Sequence, residues 1–340
     1  MGTVIRNQSS RPLDAAGPGG HPLGPLVCDL GRVLRREVLP ELGRRAGREH
    51  VAAGVGGDVT FAIDERAERR MEEHLGEHAP DVAFYSEDRG LVAPGGEPEW
   101  VLVVDPIDGT RPAMAGFEAA CVSVAAAPWG GGAATMGDVE VGLVVEIKSG
   151  TEFLATRGEG VTVNAGDDGR PVPEPRLSTT AELDLMLWSY GFRGRPLLST
   201  AVVLEELIDG SSVSGGTFDL GSATFDMTRV VTGQTDAYID PGPRMIDEVE
   251  GIRAEFERVG RGAVLNNSPY DLAAAALILG EAGAVVTDAY GRPLDACPLL
   301  GSGHDFQMSC VASANPKLHG AIIAALDRGI ARLQEQRVVG

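Results

Sequence analysis

The segment VLVVDPIDGT at residues 101–110 contains the residue types with the clearest chemical potential in this chain. An apolar run ends at Asp105, Asp108 follows three residues later, and a Gly-Thr pair comes next. The intervening Pro-Ile predicts a turn, so that both carboxylates converge instead of facing opposite sides of a strand. A helix that begins after Gly109 would offer backbone N–H groups to a phosphate. Two carboxylates beside such a cradle favour metal-assisted phosphoryl transfer.

Two other interpretations of this segment stay open when it is taken alone. A DPxDG sequence also forms a plain Asx-type turn between two strands. The aspartyl-phosphatase motif DxDGT places its two acids two residues apart, whereas the acids here are three apart. A mechanism that passes through a phospho-aspartate therefore fits this spacing poorly.

Two further acidic positions lie at predicted element boundaries. In FYSEDRG at 84–90, a predicted strand ends at Glu87. In SPYDLAAAALILGEAG at 268–283, Asp271 stands at the beginning of a long apolar helix. There it either caps the helix or faces a cleft as a metal ligand.

The hydrophobic pattern predicts the elements that position these residues. Helices are expected over 25–45 and 62–78, and strands dominate from there to about residue 180. Strands and helices alternate afterwards, including a helix over 271–283. This order predicts two layered halves, residues 23–180 and 181–340, after a disordered leader at 1–22.

Composition excludes several classes of protein. The net charge of −20 opposes non-specific nucleic-acid binding, which requires a basic surface. The first 22 residues lack the apolar region of a signal peptide, and no run of 18 apolar residues exists, so a cytoplasmic location without a membrane span is expected. The four cysteines form no CxxC pair and predict buried thiols, not a disulfide framework.

Taken together, these motifs resemble the inositol monophosphatase superfamily, a group of Mg²⁺-dependent, lithium-sensitive phosphatases that includes fructose-1,6-bisphosphatases and nucleotide 3′-phosphatases. The resemblance covers about residues 25–330 and rests on DPIDGT followed far downstream by an aspartate that begins an alanine-rich helix ending in EAG. Supporting segments are FAIDERAE at 61–68, VGLVVEI with the following FLATRGEG, and GSATFDMTRVVTGQTDAYID at 221–240. The resemblance implies an α+β or α/β fold, the layered αβαβα sandwich of the sugar-phosphatase type, and a homodimer.

The resemblance also implies a set of metal ligands. Glu87, Asp105 and the carbonyl of Ile107 would hold a first Mg²⁺ ion. Asp105, Asp108 and Asp271 would hold a second one. A third, weaker ion would lie near Glu87.

Catalytic and substrate-binding roles are implied in the same way. Asp64 would pair with Thr110 to position and deprotonate a metal-bound water, with Glu87 as the third catalytic residue. The implied substrate contacts are Gly109, Thr110, Arg111, Gly221, Ser222, Ala223 and Asp240.

Two of the departures of the chain from the family pattern bear most directly on the site. Arg111-Pro112-Ala113 follows DGT where the family usually has a polar residue, Asn and an aromatic, so Arg111 either contacts substrate or is a solvated residue at a helix start. An extended segment of thirty residues, 241–270, separates Asp240 from Asp271 and predicts an amphipathic helix around 245–258. We expect this segment beside the cleft mouth, where it would govern substrate choice, with its apolar face covered by the substrate domain or by a partner subunit.

The sequence therefore predicts a Mg²⁺-dependent phosphomonoester hydrolase that acts on a small sugar, inositol or nucleoside phosphate through attack by a metal-activated water. A bisphosphate phosphatase is an alternative, and a second phosphate would need basic contacts. The candidates for those contacts are Arg111, Arg193, Arg195, Arg244 and Arg261. A catalytically silent relative that binds a metal or a partner is the alternative from another class.

Overall fold

The computed structural model describes residues 20–44, 50–53, 59–172 and 174–339. The predicted disordered leader at 1–22 lies outside the described residues up to residue 19. A short antiparallel pair, β1 (His50–Ala53) and β2 (Val59–Phe61), lies in the chain between the first two long helices.

The first large sheet has seven strands. They are β3 (Ala83–Ser86), β4 (Gly90–Val92), β5 (Trp100–Asp108), β6 (Cys121–Pro128), β7 (Val141–Glu146), β8 (Glu152–Thr156) and β9 (Gly160–Asn164). Their order is β4-β3-β5-β6-β7-β8-β9, and only the β3–β5 pair among them is parallel. Strands β6 and β7 are buried along nearly their whole length, which explains their continuous apolar sequence.

The second large sheet has five strands. They are β10 (Leu187–Tyr190), β11 (Gly216–Phe218), β12 (Ala237–Asp240), β13 (Val285–Thr287) and β14 (Cys310–Ser313). Their order is β11-β10-β12-β14-β13, with β10 parallel to both of its neighbours and β14 antiparallel to both of its own. The carboxyl ends of three parallel strands therefore meet at one edge of this sheet.

Helices cover both sheets and fill the space between them. They are α1 (Gly24–Val38), α2 (Ala62–His78), α3 (Thr110–Ala115), α4 (Leu197–Ser211), α5 (Ala223–Val231), α6 (Gly242–Glu248), α7 (Arg253–Val259), α8 (Pro269–Glu281) and α9 (Pro316–Val339). The α1–α2 pair packs on the outer face of the seven-stranded sheet, α5 and α8 lie between the sheets, and α4 and α9 pack on the far face of the five-stranded sheet. These layers confirm the predicted αβαβα sandwich. No helix within the described residues combines the length and apolar composition that crossing a bilayer requires.

Helix α8 lies close to the seven-stranded sheet, and this explains its run of alanines. A Cβ atom at Gly142 of β7 would lie only 2.8 Å from the carbonyl oxygen of Ala274. Small residues on both sides thus allow the helix backbone to rest directly on the strand. This packing carries the beginning of α8, including Asp271, to the end of β5.

The extended segment 241–270 forms two helices, so the single helix predicted around 245–258 is wrong. The chain breaks between α6 and α7 at Gly251, which has a φ of +73°. The predicted apolar face packs into the chain's own C-terminal core, against the far side of the five-stranded sheet with α4 and α9. Its buried members are Met245, Val249, Ile252, Phe256 and Val264. The apolar face is therefore covered by the chain's own core, and the expected place of the segment beside the cleft mouth stays a prediction.

This burial leads to a prediction about stability. Phe256 is fully buried, so Phe256→Ala should lower the free energy of unfolding by about 3–5 kcal/mol, the usual loss for a core phenylalanine. Urea unfolding measures the change. Phe117→Ala is the matched control, because that ring is 66 % exposed, and it should change stability by less than about 0.5 kcal/mol. Equal effects of the two substitutions would contradict the core position of α7.

Candidate metal centre

Asp105 and Asp108 of strand β5 lie close together because the pairing of β5 with β6 is irregular between them. The register between β5 and β6 shifts between Asp105 and Asp108. Without that shift, residues three apart would face opposite sides of the sheet. The N–H of Ile107 donates to Asp105 Oδ1 at 2.9 Å. The segment therefore does form an Asx-type turn, and the same turn allows both carboxylates to approach one another.

Asp271 completes a group of three carboxylates. One carboxylate oxygen from each of Asp105, Asp108 and Asp271 lies within 4.8 Å of the other two. Asp271 also caps α8, since its Oδ2 accepts from the N–H of Ser268 at 2.6 Å. The N-cap itself is Ser268, and Asp271 is the N3 residue of its capping box, so Asp271 supports the beginning of the helix and also lies with the other two carboxylates.

The beginning of α5 holds Asp108 in place. Asp108 Oδ2 accepts from the Ser222 hydroxyl at 2.8 Å and from the N–H of Thr224 at 2.6 Å, across 116 residues of sequence in the second case. The Thr224 hydroxyl donates to the carbonyl oxygen of Asp271 at 3.1 Å. Sequence reasoning missed Thr224, although its position at the start of a predicted helix was a usable signal. The predicted contacts Gly221 and Ala223 flank Ser222 at this helix start.

Glu87 lies beside the three-carboxylate group and not within it. It follows the last residue of β3 and is half-buried. Burial raises the pKa of Asp105 well above its usual range, and the negative charge of Glu87 is the next largest cause of that shift. The charges of Asp108 and Asp271 raise this pKa further. Four acidic residues therefore share one electrostatic environment.

Thr110 and Asp64 form a hydrogen-bonded pair next to the carboxylates. The Thr110 hydroxyl lies 3.0 Å from Asp64 Oδ1 and 3.2 Å from the carbonyl oxygen of Ile107. The N–H of Phe61 donates to Asp64 Oδ2 at 2.9 Å, which turns the other oxygen of that carboxylate toward Thr110. The predicted pair is thus in contact, although 46 residues separate its members.

Gly109 is required by both conformation and space. Its φ of +92° lies in the left-handed region that favours glycine. A Cβ atom there would lie 2.5 Å from the carbonyl oxygen of Ala119 and 2.9 Å from Cβ of Ser222. The close contact lets β5 pass directly into α3, so that Thr110 lies next to the acidic group.

The acidic group suits divalent cations on the chemistry of its donors. Burial raises the pKa of Asp108 as well, while the hydrogen bonds from Thr224 and Ser222 lower it. Desolvation and the charge of Asp108 raise the pKa of Asp271 to about 7. Carboxylate oxygens are the ligands that Mg²⁺ prefers, and a cation supplies the positive charge that a buried cluster of acids needs. These residues therefore could hold a metal ion.

We expect the chain without divalent cations to lose stability as the pH rises. The folded-state pKa of Asp271 is about 7, against about 3.9 in an unfolded chain. Between these values the folded chain keeps a proton that the unfolded chain has released, so the free energy of unfolding falls with rising pH. Thermal unfolding in EDTA from pH 5 to 8 measures this. Asp271→Asn should flatten the slope, and an unchanged slope in that variant would contradict the assignment.

Asp240, a predicted substrate contact, is buried and already bound by other protein groups. Its Oδ2 accepts from the guanidinium of Arg195 and, at 2.9 Å, from the amide of Asn267. Its Oδ1 accepts from the N–H of Gly242 at 3.0 Å. Arg111, the other polar contact predicted at the rim, is exposed and lies with its guanidinium carbon 5.9 Å from the centre of the Phe61 ring.

Of the five arginines considered for a second phosphate, two are buried and three are exposed, namely Arg111, Arg193 and Arg261. Arg195 and Arg244 are buried and bind within the fold, Arg195 to Asp240 and Arg244 to Glu248 and Asp327. Arg193 is exposed, and its positive charge lowers the pKa of both Asp108 and Asp271. The charge of Arg193 therefore acts on two of the three carboxylates.

The chain is similar to known proteins over most of its length. The model of the inositol monophosphatase family matches residues 29–331. A fructose-1,6-bisphosphatase/inositol-1-monophosphatase of Methanothermobacter thermautotrophicus is 27% identical over 303 residues, which cover 88% of this chain and 94% of that protein. An inositol-1-monophosphatase of Mycobacterium leprae is 29% identical over 305 residues, or 87% of this chain and 88% of that protein.

Two other similar proteins are a longer bifunctional enzyme and a solved structure with low sequence identity. A bifunctional NADP phosphatase/NAD kinase of Methanocaldococcus jannaschii is 25% identical over 86% of this chain and 48% of its own. Among solved structures, the Thermotoga maritima IMPase superposes with a TM-score of 0.64 at 20% identity, covering 91% of this chain and 98% of that one, and shows the shared fold. The match of the family model over most of the sequence settles membership: the chain belongs to the inositol monophosphatase family and is a phosphatase.

Proposed function

We propose that this protein is a Mg²⁺-dependent phosphomonoester hydrolase that acts on a small sugar, inositol or nucleoside phosphate. The observation that carries the proposal is the convergence of Asp105, Asp108 and Asp271 within 4.8 Å, next to the hydrogen-bonded pair of Thr110 and Asp64. A cation site beside a positioned proton acceptor is what hydrolysis of a phosphate ester requires.

Each residue at the site then has a distinct task. Asp105 would serve two Mg²⁺ ions, one with Glu87 and the carbonyl of Ile107, the other with Asp108 and Asp271. A third and weaker ion would lie near Glu87. When bound, Mg²⁺ supplies Lewis acidity that acidifies water and neutralises charge on the phosphate.

The protein's own groups move the proton and hold the ester. The Thr110 hydroxyl donates to Asp64 Oδ1, so its oxygen is oriented to accept a proton from an attacking water. Asp64 would receive the proton that Thr110 passes on, since its other oxygen is already bound by the N–H of Phe61. The N–H groups of Gly109 and Thr110 would receive the phosphate, with Arg111 at the rim.

A phosphate-release screen over sugar, inositol and nucleoside phosphates tests the proposal. Release should require added Mg²⁺ and stop in EDTA. Undiminished release in EDTA would contradict the metal role. No release from any ester, together with Mg²⁺ binding in calorimetry, would favour the catalytically silent relative instead.

A bisphosphate is a second candidate substrate, and the position of Arg193 supports it. The guanidinium of Arg195 donates to the carbonyl oxygen of Arg193 at 2.5 Å and to that of Leu265 at 2.7 Å. The same guanidinium forms a buried ion pair with Asp240. A buried pair thus fixes the loop that carries Arg193, whose positive charge acts on Asp108 and Asp271. That cation suits a second anionic group on the substrate.

Substitution of Arg193 distinguishes the two kinds of substrate. Arg193→Ala should raise KM for a sugar bisphosphate by about tenfold or more, the loss expected for one charged contact, with little change in kcat. KM for the corresponding monophosphate should stay within about twofold. Arg258→Ala is the control, because this exposed arginine lies on α7 at the far side of the second sheet. Equal changes in KM for both substrates would remove the bisphosphate candidate.

Three further properties stay proposals, of which the first two rest on the family resemblance and the third on the composition of the sequence. Lithium should inhibit by competing at the site of Asp108 and Asp271. A homodimer is expected in solution, and light scattering coupled to gel filtration measures it. The predicted cytoplasmic location belongs with these.

A further inference from the structure

Glu68 is a buried acidic residue that the proposed reaction does not use. It lies on α2, one helical turn after Asp64, and is 1 % exposed. Residues four apart occupy the same helix face. The face of α2 that holds Thr110 through Asp64 therefore also carries Glu68 into the protein.

The contacts of Glu68 are with the two residues that flank Glu87. Glu68 Oε2 accepts from the Ser86 hydroxyl at 2.8 Å, and Oε1 accepts from the N–H of Asp88 at 3.2 Å. The Ser86 hydroxyl oxygen also accepts from the N–H of Arg89 at 3.4 Å. The Glu68 side chain thus binds the residue before Glu87 and the residue after it. Through the Ser86 hydroxyl it is also linked to the N–H of Arg89.

The turn does not need a glutamate to close. Strands β3 and β4 pair directly, with Ser86 opposite Gly90, so the strand pairing already joins the two sides of this turn. A buried carboxylate costs free energy unless donors compensate for its lost hydration. Burial of the Glu68 carboxylate is costly, and its two hydrogen-bond donors come from the residues on either side of Glu87. This arrangement indicates that the orientation of Glu87 matters.

We infer that Glu68 is a positioning residue that orients Glu87 and thereby sets the affinity of the centre for Mg²⁺. Groups that orient metal ligands commonly change metal affinity by about ten- to hundredfold when they are removed. The inference rests on the proposed function, because it requires Glu87 to bind the ion. It adds that α2 positions both the proton acceptor and a metal ligand from one helix face.

The test is a Mg²⁺ titration of three variants. Binding is measured in two ways, by phosphatase activity and, in the absence of substrate, by the shift in Tm. Glu68→Ala should raise the Mg²⁺ concentration for half-maximal activity by about tenfold or more, with kcat at saturating Mg²⁺ within about threefold of wild type. Glu68→Gln should restore near-wild-type affinity, since the amide oxygen can accept from Asp88 and the amide nitrogen can donate to Ser86. In Ser86→Ala combined with Glu68→Ala, the loss should be no larger than in Glu68→Ala alone.

Glu152→Ala is the matched control for loss of a buried glutamate. Glu152 is 7 % exposed and binds Arg32 from β8, three strands away from β5. It should lower stability without changing the Mg²⁺ titration. An unchanged titration in folded Glu68→Ala would overturn the inference, and if that variant does not fold, an unchanged titration in Ser86→Ala would do so. Failure of the wild-type protein to bind Mg²⁺ would instead overturn the proposed function.

Discussion

Asp108→Asn should lower turnover by about 10³-fold, because it removes the charge of a proposed metal ligand. The change removes one negative charge and almost no volume. A metal ion in such a site contributes several kcal/mol to transition-state stabilisation, and each ~1.4 kcal/mol corresponds to tenfold in rate. Steady-state phosphate release at saturating Mg²⁺ measures the change.

The same substitution should make the metal-free chain more stable. The asparagine oxygen can still accept from Ser222 and Thr224, as Asp108 Oδ2 does. Its amide would face Asp271, so that a donor replaces a like charge. A higher Tm in EDTA together with lost activity would identify a residue kept for binding a cation. Lost activity with a lower Tm would show that Asp108 mainly supports the fold.

Thr110→Ala and Asp64→Asn should each lower kcat by about 10²–10⁴-fold, the range for removing a positioned proton acceptor. The reason is their direct hydrogen bond of 3.0 Å, in which one group orients the other. The double variant should be little worse than the more damaged single variant, because residues that act as a unit lose their effect together.

Serine at position 110 gives the control for this pair. Thr110→Ser keeps the hydroxyl that contacts Asp64 and should retain most of the activity. Multiplicative losses in the double variant would mean that Thr110 and Asp64 act separately. A strongly impaired Thr110→Ser would assign the effect to the methyl group and its packing.

The elements with strong periodicity were predictable from sequence. Helix α2 runs over Ala62–His78, as its apolar spacing predicts, and β5, β6 and α8 lie where their apolar runs place them. The layered architecture is confirmed by the two sheets and their helices. The predicted boundary near residue 180 stays a prediction, although the first large sheet ends at Asn164 and the second begins at Leu187.

What sequence could not supply is the partner of each polar group. Nothing local shows that Arg195 pairs with Asp240, or that Glu68 binds on both sides of Glu87, because such contacts depend on how distant elements pack. The break at Gly251 was missed because the apolar spacing continues across it. Helical periodicity reports which residues are buried and does not report whether the helix is continuous.

The acidic centre draws on parts of the chain that lie far apart in the sequence. Asp105 and Asp108 lie at the end of a strand of the first sheet, and Asp271 lies at the beginning of a helix between the sheets. The hydrogen bond from the N–H of Thr224 to Asp108 joins residues 116 apart in the sequence. Closing loops of such length costs conformational entropy, so we expect these contacts to be absent from the transition state for folding. Interactions absent from the transition state act on the unfolding rate and leave the folding rate nearly unchanged. A bound ion would therefore slow the unfolding of this protein and leave its folding rate nearly unchanged. It would increase kinetic stability without helping the chain to fold.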